Sequence, residues 1–347
     1  MHPPDMHPSV QSPTGTGLLL SRRRLIGAGV ALACATYGPA VLAQSRTMVR
    51  IGVTKIVSHA ALDADEKGFE AGLESSGFKE GVNVTYLRRN AEGSVARAEA
   101  IAQEFMAAKL DLVHAIATPT AQAVMRSGSR VPLVFSSVTD PVRAGLVPAG
   151  SAPGQRTGTH VTGLSDLWPV QLQMETYARA LPQAKVWGTI YNPAESNSLT
   201  HLQAMRDSAK RLGLTLQEAT VASSDQVAAA AQALVTKVQA ITITSDNTTV
   251  ASLEDIARAC DAAKVPLFAG DIDSVARGAV MAYGLDYFLV GYSAGKKAAL
   301  VLKGIKPGDV PWGPVEKFSL VINRRAARAQ GMVLSPDLLA RADKFID

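Results

Sequence analysis

This 347-residue sequence contains few cysteines and few aromatic residues, and neither charge is in large excess. Two cysteines are too few for a scaffold held together by disulfide bonds. The 35 basic residues are offset by 30 acidic ones interleaved with them, and only 5% of residues are aromatic, so nucleic-acid binding is not indicated. With 47% apolar residues the chain is too hydrophobic to be disordered, and its length suits two domains of roughly 150 residues each.

The N-terminal 43 residues are typical of an export signal. Three arginines at 22–24 precede an uncharged run over residues 25–45, and small residues before Gln44 fit a cleavage site after Ala43. Paired arginines followed by two apolar residues resemble the twin-arginine signal. Glycine and proline make the run a poor membrane-spanning helix. We predict a cleaved signal over residues 1–43 and a periplasmic protein, with lipid anchoring through Cys34 as the open alternative.

The rest of the chain alternates short apolar runs with amphipathic segments, and the alternation occurs twice. Continuous apolar runs are typical of strands buried on both faces, and strands alternating with helices favour a parallel sheet. We therefore predict an α/β fold of two doubly wound parallel-sheet lobes joined by a hinge. The predicted strands cover residues 49–53, 83–87, 112–117 and 132–136 in the first half, and 186–191, 215–219, 240–244 and 266–269 in the second.

Polar loops follow equivalent strands in the two halves. In open parallel sheets, ligands bind outside the carboxyl ends of the strands. We therefore predict that these loops face one another across a ligand cleft between the lobes. They cover residues 54–59 and 192–198 after the first strands, 118–120 and 245–249 after the third, and 138–141 and 271–274 after the fourth.

The loop residues suit either helix capping or ligand binding. Thr118, Asp140 and Asn192 each precede a proline where a helix should begin, and the N–H groups that follow could simply be capped or could hold a carboxylate. A ligand ammonium could be received by a loop carboxylate, and neutral side chains nearby could supply hydrogen bonds. The carboxylates are Asp140, Glu195 and Asp246, and the neutral residues are Asn197, Ser198, Asn247 and Thr248.

Signals for catalysis or metal binding are missing from the sequence. It contains no G-x-S-x-G, P-loop or H-E-x-x-H motif, and its histidines have no metal-ligand spacing. His114 is expected in the core, whereas His59 lies in a cleft loop and is a candidate ligand contact. We predict no catalytic residue, no metal and no cofactor.

The loops together resemble the ABC-transporter substrate-binding family of type I periplasmic binding proteins, whose relatives include tryptophan and tyrosine binders. The resemblance runs from about Met48 to Met332. It rests on residues 59–63 (HAALD), 115–119 (AIATP), 135–142 (FSSVTDPV), 191–198 (YNPAESNS), 244–248 (TSDNT) and 271–275 (DIDSV).

The resemblance implies a binding protein that takes a small zwitterionic ligand, an amino acid with aromatic ones among the candidates, by hinged lobe closure. It would deliver that ligand to the membrane permease of an ABC importer, and we expect a monomer that binds no nucleic acid. By position, the implied ligand contacts are Thr118, Thr139, Asp140, Glu195, Asn197, Ser198, Asp246, Asn247 and Asp271. Further candidates in these loops are Ser58, His59, Thr120, Ser137, Tyr191 and Thr248.

The resemblance also implies three crossings between the lobes. They would fall near Gly163, near Gly270 and past Lys306. The first lobe would then comprise residues 47–163 and 271–311, and the second residues 164–270 and 312–347.

Three positions near the cleft depart from the family pattern and leave the ligand open. These are Ala60, Trp168 and Ser245. An aromatic acid, a urea-like compound or a sugar is the alternative ligand on the same fold. An α/β enzyme such as an epimerase or transferase is a second alternative. A gene regulator would need a DNA-binding helix-turn-helix where the export signal stands.

Overall fold

Two sheets of mostly parallel strands organise residues 48–347, which are the residues described by the computed structural model. The predicted export signal over residues 1–43, and Cys34 within it, lie outside the described residues. Between residues 48 and 347, no helix is both long and apolar enough to cross a membrane.

Strands and helices alternate along most of the chain. The strands are β1 Val49–Lys55, β2 Val84–Asn90, β3 Leu112–Ile116, β4 Leu133–Val138, β5 Val161–Ser165, β6 Val186–Tyr191, β7 Thr215–Thr220, β8 Ala240–Thr242, β9 Leu267–Asp271, β10 Met281–Leu285, β11 Gly313–Pro314, β12 Phe318–Asn323 and β13 Lys344–Ile346. The helices are α1 Ala60–Glu74, α2 Val95–Ala107, α3 Thr118–Arg126, α4 Val170–Ala180, α5 Ser196–Leu212, α6 Val227–Leu234, α7 Asn247–Ala251, α8 Leu253–Ala263, α9 Asp273–Ala276, α10 Tyr287–Leu302, α11 Arg324–Ala329 and α12 Pro336–Ala340.

The two sheets share one strand order. The first sheet runs β11-β5-β4-β3-β1-β2 and the second β13-β12-β10-β9-β8-β6-β7. Each therefore contains the doubly wound order 2-1-3-4-5, and among these strands the pairing is parallel, with β12 added antiparallel to β10. The predicted fold class of two doubly wound lobes is confirmed. In this topology ligands bind where the strand order reverses, between β1 and β3 and between β6 and β8.

The core strands are buried because helices cover both faces of each sheet. Every residue of β3 and β4 is buried. In the first lobe, α1 packs directly against α10 through glycines. A Cβ on Gly68 would lie 2.1 Å from the Phe288 carbonyl oxygen, and one on Gly291 would lie 1.8 Å from that of Asp65. The α10 helix, although late in the chain, therefore belongs to the first lobe.

The sheet topology corrects the predicted crossings. The first follows Ser165 at the end of β5. The second lies between Leu285 and Tyr287 rather than near Gly270, because β9 and β10 are both strands of the second sheet. Residues 271–285 therefore belong to the second lobe. The third crossing lies between β11 and β12, a few residues later than predicted. The strand β10 escaped prediction because the four-residue helix α9 before it gives no periodic signal.

Candidate functional site

A cavity lies between the lobes, at the carboxyl ends of strands from both sheets. Its empty space, counted together with the part that is open to solvent, is about 340 Å³. Loops of both lobes and the two segments that connect them contribute to its wall. The lining residues are His59, Ala61, Leu62, Ser137 and Thr139 from the first lobe, Asn197, Ser245, Asp246, Asn247, Val250 and Asp271 from the second, and Asp166, Trp168 and Tyr287 near the crossings.

His59 enters the cavity from the first lobe, immediately before α1. Its backbone is extended and its side chain is buried. Within residues 48–347, neither ring nitrogen makes a hydrogen bond of good geometry, although the Asn247 side chain of the second lobe lies near the ring. Burial, reinforced by the positive charge of Arg277, lowers the pKa of His59 to about 4. The imidazole is therefore neutral at pH 7 and offers one donor and one acceptor.

Ser137 and Thr139 follow β4 and form a second part of the first-lobe wall. Ser137 has a φ of 53°, in the left-handed region, and its hydroxyl donates to Asp65 on α1. Ser136 also donates to Asp65, at 2.9 Å. These bonds hold the strained turn in place. Burial raises the pKa of Asp65 to about 7.

Glu195 supports the second-lobe wall of the cavity through hydrogen bonds to its residues. It is the N-cap residue of α5, and its carboxylate accepts hydrogen bonds from the backbone N–H of Asn247 and of Thr248, both at 2.9 Å. The side chains of Asn247, Thr248 and Asn197 donate at 2.6, 2.8 and 3.0 Å. Since these five bonds occupy the carboxylate, Glu195 orients Asn247 and Asn197 and does not itself line the cavity.

Asn197 carries an unpartnered oxygen at this wall. Its Nδ2 donates to Glu195 and to the carbonyl oxygen of Ser245, the latter at 2.7 Å. Its Oδ1 is buried and has no partner in the described part of the chain. The amide is therefore held in one orientation with its acceptor unsatisfied.

Asp246 and Asp271 cap helices and line the cavity at the same time. Asp246 accepts from the backbone N–H of Thr249 at 2.8 Å and of Asn192 at 2.7 Å. Asp271 accepts from the backbone N–H and the hydroxyl of Ser274 at 2.8 and 2.7 Å. Burial raises the pKa of both carboxyls, and the nearby charge of Glu195 adds to the effect at Asp246. The sequence left capping and ligand binding as alternatives, but these two residues are placed for both.

The connecting segments contribute Asp166 and Tyr287, which sequence analysis missed. Asp166 directly follows β5, and Tyr287 begins α10 just after β10. The Tyr287 hydroxyl donates to Asp166 Oδ2 at 2.6 Å, and Thr139 Oγ1 donates to Asp166 Oδ1 at 3.1 Å. Burial raises the pKa of Asp166 to about 6. The strand-end rule used for the other loops would have found both residues had β5 and β10 been recognised as strands.

Trp168 forms an aromatic wall that depends on a glycine. A Cβ on Gly270 would lie only 1.9 Å from Cε3 of the indole, so the ring packs flat on the bare backbone of β9. Its other neighbour is His201, with ring centroids 4.8 Å apart, and His201 Nε2 accepts from the Trp168 backbone N–H. The indole N–H donates to Tyr287 at 3.2 Å.

Seven predicted contacts meet in the cavity, and the others lie outside it. Those in the lining are His59, Ser137, Thr139, Asn197, Asp246, Asn247 and Asp271. Most of the rest bond within their own lobe: Ser58 to Asp63, Thr120 to the Ile116 carbonyl, Asp140 to the Arg143 backbone, Tyr191 to Glu218, Ser198 to Thr244, and Glu195 and Thr248 to each other. Thr118 is buried at the start of α3. These eight residues therefore do not line the cavity in the described conformation.

No metal centre is formed by the residues that the structure describes. Across residues 48–347, no group of three histidine, cysteine or acidic side chains could hold an ion. Cys260 is buried in the second lobe as a free thiol. The cavity therefore offers hydrogen bonds, carboxylates and apolar surface.

Comparison with known proteins identifies the class. Residues 50–346 match the sequence model of the family described as ABC transporter substrate binding protein, and the chain belongs to that family. It is 34% identical over 288 residues to a tyrosine-binding protein of Clostridioides difficile, which covers 83% of this chain and 82% of the relative.

Two solved structures extend the comparison. One is an ABC domain in complex with L-Trp from Streptococcus pneumoniae, 30% identical with a TM-score of 0.81, covering 86% of this chain and 100% of the other. The second is the ligand-free, open structure of a substrate binding protein with adhesive properties from Clostridium difficile. It is also 30% identical but has a TM-score of 0.63, over 86% of this chain and 99% of the other.

Proposed function

We propose that the protein is the extracytoplasmic binding subunit of an ABC importer and that it binds a small zwitterionic ligand, an amino acid with an aromatic side chain as the leading candidate, between its two lobes. The observation that carries the proposal is a pair of buried, unpartnered polar groups. His59 of the first lobe and Asn197 of the second face the same cavity, and neither ring nitrogen of His59 nor Oδ1 of Asn197 has a partner within residues 48–347.

Because these groups lack partners among the described residues, a ligand that bonds to both of them stabilises the closed arrangement of the lobes. Leaving a buried polar atom without a hydrogen bond costs about 1–3 kcal/mol. A ligand that bonds to His59 and Asn197 together removes this cost only when both lobes contact it. Such a ligand binds the closed arrangement more tightly and shifts the population toward it.

The charge and the apolar surface of the lining favour a ligand that carries a cationic group and an apolar side chain. The lining includes three buried carboxyls and, as far as residues 48–347 are concerned, neither lysine nor arginine. An ammonium group suits the carboxyls, and the carboxylate of a zwitterion takes the neutral donors. Trp168, Leu62 and Val250 supply apolar surface for a side chain. The proposed contacts are His59, Ser137, Thr139, Asn197, Asp246, Asn247 and Asp271.

Hinged closure is supported by contacts between the lobes and by the comparisons. A hydrogen bond joins Thr139 of the first lobe to Ser245 of the second. The chain is also more similar to the L-Trp complex than to the ligand-free, open relative, although the two are equally identical in sequence. We infer that the described conformation is the closed one and that the free protein opens about the connecting segments.

We further propose that the protein is exported to the periplasm through the signal at residues 1–43. There it acts as a monomer and delivers its ligand to a membrane permease. Lipid anchoring at Cys34 is the alternative to cleavage after Ala43. The intact mass of the mature protein separates the two, because only one retains residues 34–43 and a lipid.

Thermal shift and isothermal titration with the mature protein test the ligand class. The panel contains the twenty amino acids, aromatic acids, urea-like compounds and sugars. At a ligand concentration of 100 Kd we expect about 2.7 kcal/mol of stabilisation, a rise in Tm of several degrees. Asn197→Ala should weaken binding about tenfold, with Ser196→Ala as the exposed neighbouring control.

Other outcomes contradict parts of the proposal. A response to a sugar or an aromatic acid and to no amino acid would overturn the zwitterionic ligand while leaving the fold-level class intact. Chemical conversion of the ligand during incubation would instead favour the α/β enzyme.

A further inference from the structure

Asp166 differs from the other acids of the cavity in what surrounds it. It lies directly after β5, in the first connection between the lobes, and is 3% exposed. Its charged neighbour is Asp271, another acid, and no lysine or arginine of the described chain lines the cavity. A buried carboxylate without a cation is costly, so a positively charged group of a ligand beside Asp166 would stabilise its charged form.

Its hydrogen bonds compensate its charge poorly. Asp246 and Asp271 accept from backbone N–H groups at helix starts, which are fixed donors that stabilise a negative charge. Asp166 accepts side-chain bonds only from the hydroxyls of Thr139 and Tyr287 among the described residues. A hydroxyl can rotate and accept instead of donate. Asp166 is therefore the lining acid whose side-chain hydrogen bonds come from rotatable hydroxyls rather than from backbone N–H groups at a helix start.

One of those hydroxyls joins the two lobe connections. Tyr287 lies just past β10, in the second connection, and its bond to Asp166 in the first spans 2.6 Å. Trp168, also in the first connection, donates to the same hydroxyl. Hinge segments absorb the backbone changes of lobe closure, and this hydrogen bond ties the two segments to each other. The unpartnered groups of His59 and Asn197 face the same cavity.

We propose that Asp166 receives the ammonium group of the ligand, and that Tyr287, by its hydrogen bond to Asp166, is a positioning residue that couples this contact to lobe closure. The proposal rests on the proposed function and deepens it, since it names the residue that selects for a positive charge. A ligand without an ammonium group would leave Asp166 uncompensated and would not draw the two connections together.

Binding should also release protons near pH 6. Burial raises the pKa of Asp166 to about 6 in the described conformation without ligand, and an ammonium beside it favours the carboxylate. Affinity should therefore rise between pH 5 and pH 7. Other titratable groups face the cavity or Asp166, so the profile must be read as a difference between variants. They are Asp65 on α1, His59 before it, Asp246 before α7, Asp271 at the end of β9 and Tyr287 on α10, and the charge of Arg277 acts on His59 and Asp271.

The test combines variants with matched ligand pairs. Asp166→Asn keeps the shape and removes the charge, and Asp140→Asn, a first-lobe acid outside the cavity, is its control. The ligands are L-tryptophan with 3-(indol-3-yl)propionic acid, and L-tyrosine with 3-(4-hydroxyphenyl)propionic acid, which differ only by the ammonium. Titration calorimetry at pH 5, 6 and 7 gives affinity, and two buffers of different ionisation enthalpy give proton release.

We expect Asp166→Asn to weaken amino-acid binding about 30- to 100-fold, to leave the desamino acid unaffected and to flatten the pH profile. Tyr287→Phe should cost about 5- to 10-fold and reduce the ligand-induced compaction seen by small-angle scattering. Equal losses for both members of a ligand pair would mean a merely structural role and would overturn the proposal, as would unchanged amino-acid affinity in Asp166→Asn. If the wild type binds no amino acid, the proposed function fails instead.

Discussion

The hydroxyl oxygen of Thr139 in the first lobe lies 3.2 Å from that of Ser245 in the second, beside the cavity. The two lobes therefore meet at hydrogen-bonding distance in this conformation. Thr139 also donates to Asp166, so one hydroxyl contacts both the opposite lobe and the connection between the lobes.

Removing this contact should weaken ligand binding without unfolding the protein. Ser245→Ala deletes one partner of a bond between the lobes, and under the proposed closure this bond forms only when the lobes close. The expected loss of affinity is about 2- to 10-fold, the value of one net hydrogen bond. Calorimetric Kd values, with Ser196→Ala as control, measure it. A large fall in Tm with unchanged affinity would contradict a role in closure.

Adding one methyl group at Gly270 should displace the aromatic wall. The Cβ of Gly270→Ala would lie 1.9 Å from the Trp168 ring, which must move or push β9 aside. We expect a loss of about 1–3 kcal/mol in stability, weaker ligand binding and altered tryptophan fluorescence. Gly313→Ala, where the new Cβ has 3.4 Å of clearance, is the matched control. Wild-type fluorescence and affinity in Gly270→Ala would contradict this packing.

Neutralising Glu195 should disrupt the hydrogen bonds that orient the second-lobe wall of the cavity. A glutamine cannot accept all five hydrogen bonds that converge on the carboxylate, so buried donors of Asn247 or Thr248 lose their partner. We expect Glu195→Gln to cost about 2–4 kcal/mol in denaturant unfolding and to weaken ligand binding. The exposed Glu99→Gln should change neither. Intact affinity together with lower stability would show that the α7 start tolerates the change.

Asp65 should make the protein less stable as the pH rises from 4 to 7. Burial raises its pKa from 3.8 to about 7, so between these values the folded state holds a proton that the unfolded state has lost. Stability from this group is therefore present below pH 4 and falls as pH rises toward 7. The buried histidines His59, His114 and His201, with lowered pKa values, act in the opposite direction between about pH 4 and 6.5.

The contribution of Asp65 is isolated by comparing variants. The stability of Asp65→Asn relative to wild type, from denaturant curves at pH 4.5, 5.5, 6.5 and 7.5, should increase steadily with pH. Parallel stability curves for the two proteins would contradict the assigned proton.

The sequence predicted the fold class because buried parallel strands leave continuous apolar runs, as in β3 and β4. It failed at β5 and β10, because no long periodic helix precedes either strand, and so it misplaced the second crossing and missed Asp166 and Tyr287. The sequence pattern also places a loop at the cleft, but it does not determine which way each side chain of the loop points. Thr139 lines the cavity but its neighbour Asp140 caps a turn, and Asn197 faces the cavity but Ser198 bonds to Thr244.

The most direct test of ligand-driven closure is small-angle X-ray scattering of the mature protein, alone and saturated with whichever aromatic amino acid binds in calorimetry. We predict one-to-one binding and a smaller radius of gyration in the complex, with scattering of the complex that matches the lobe arrangement described here. Saturated binding with scattering unchanged from the free protein would contradict closure about the connecting segments.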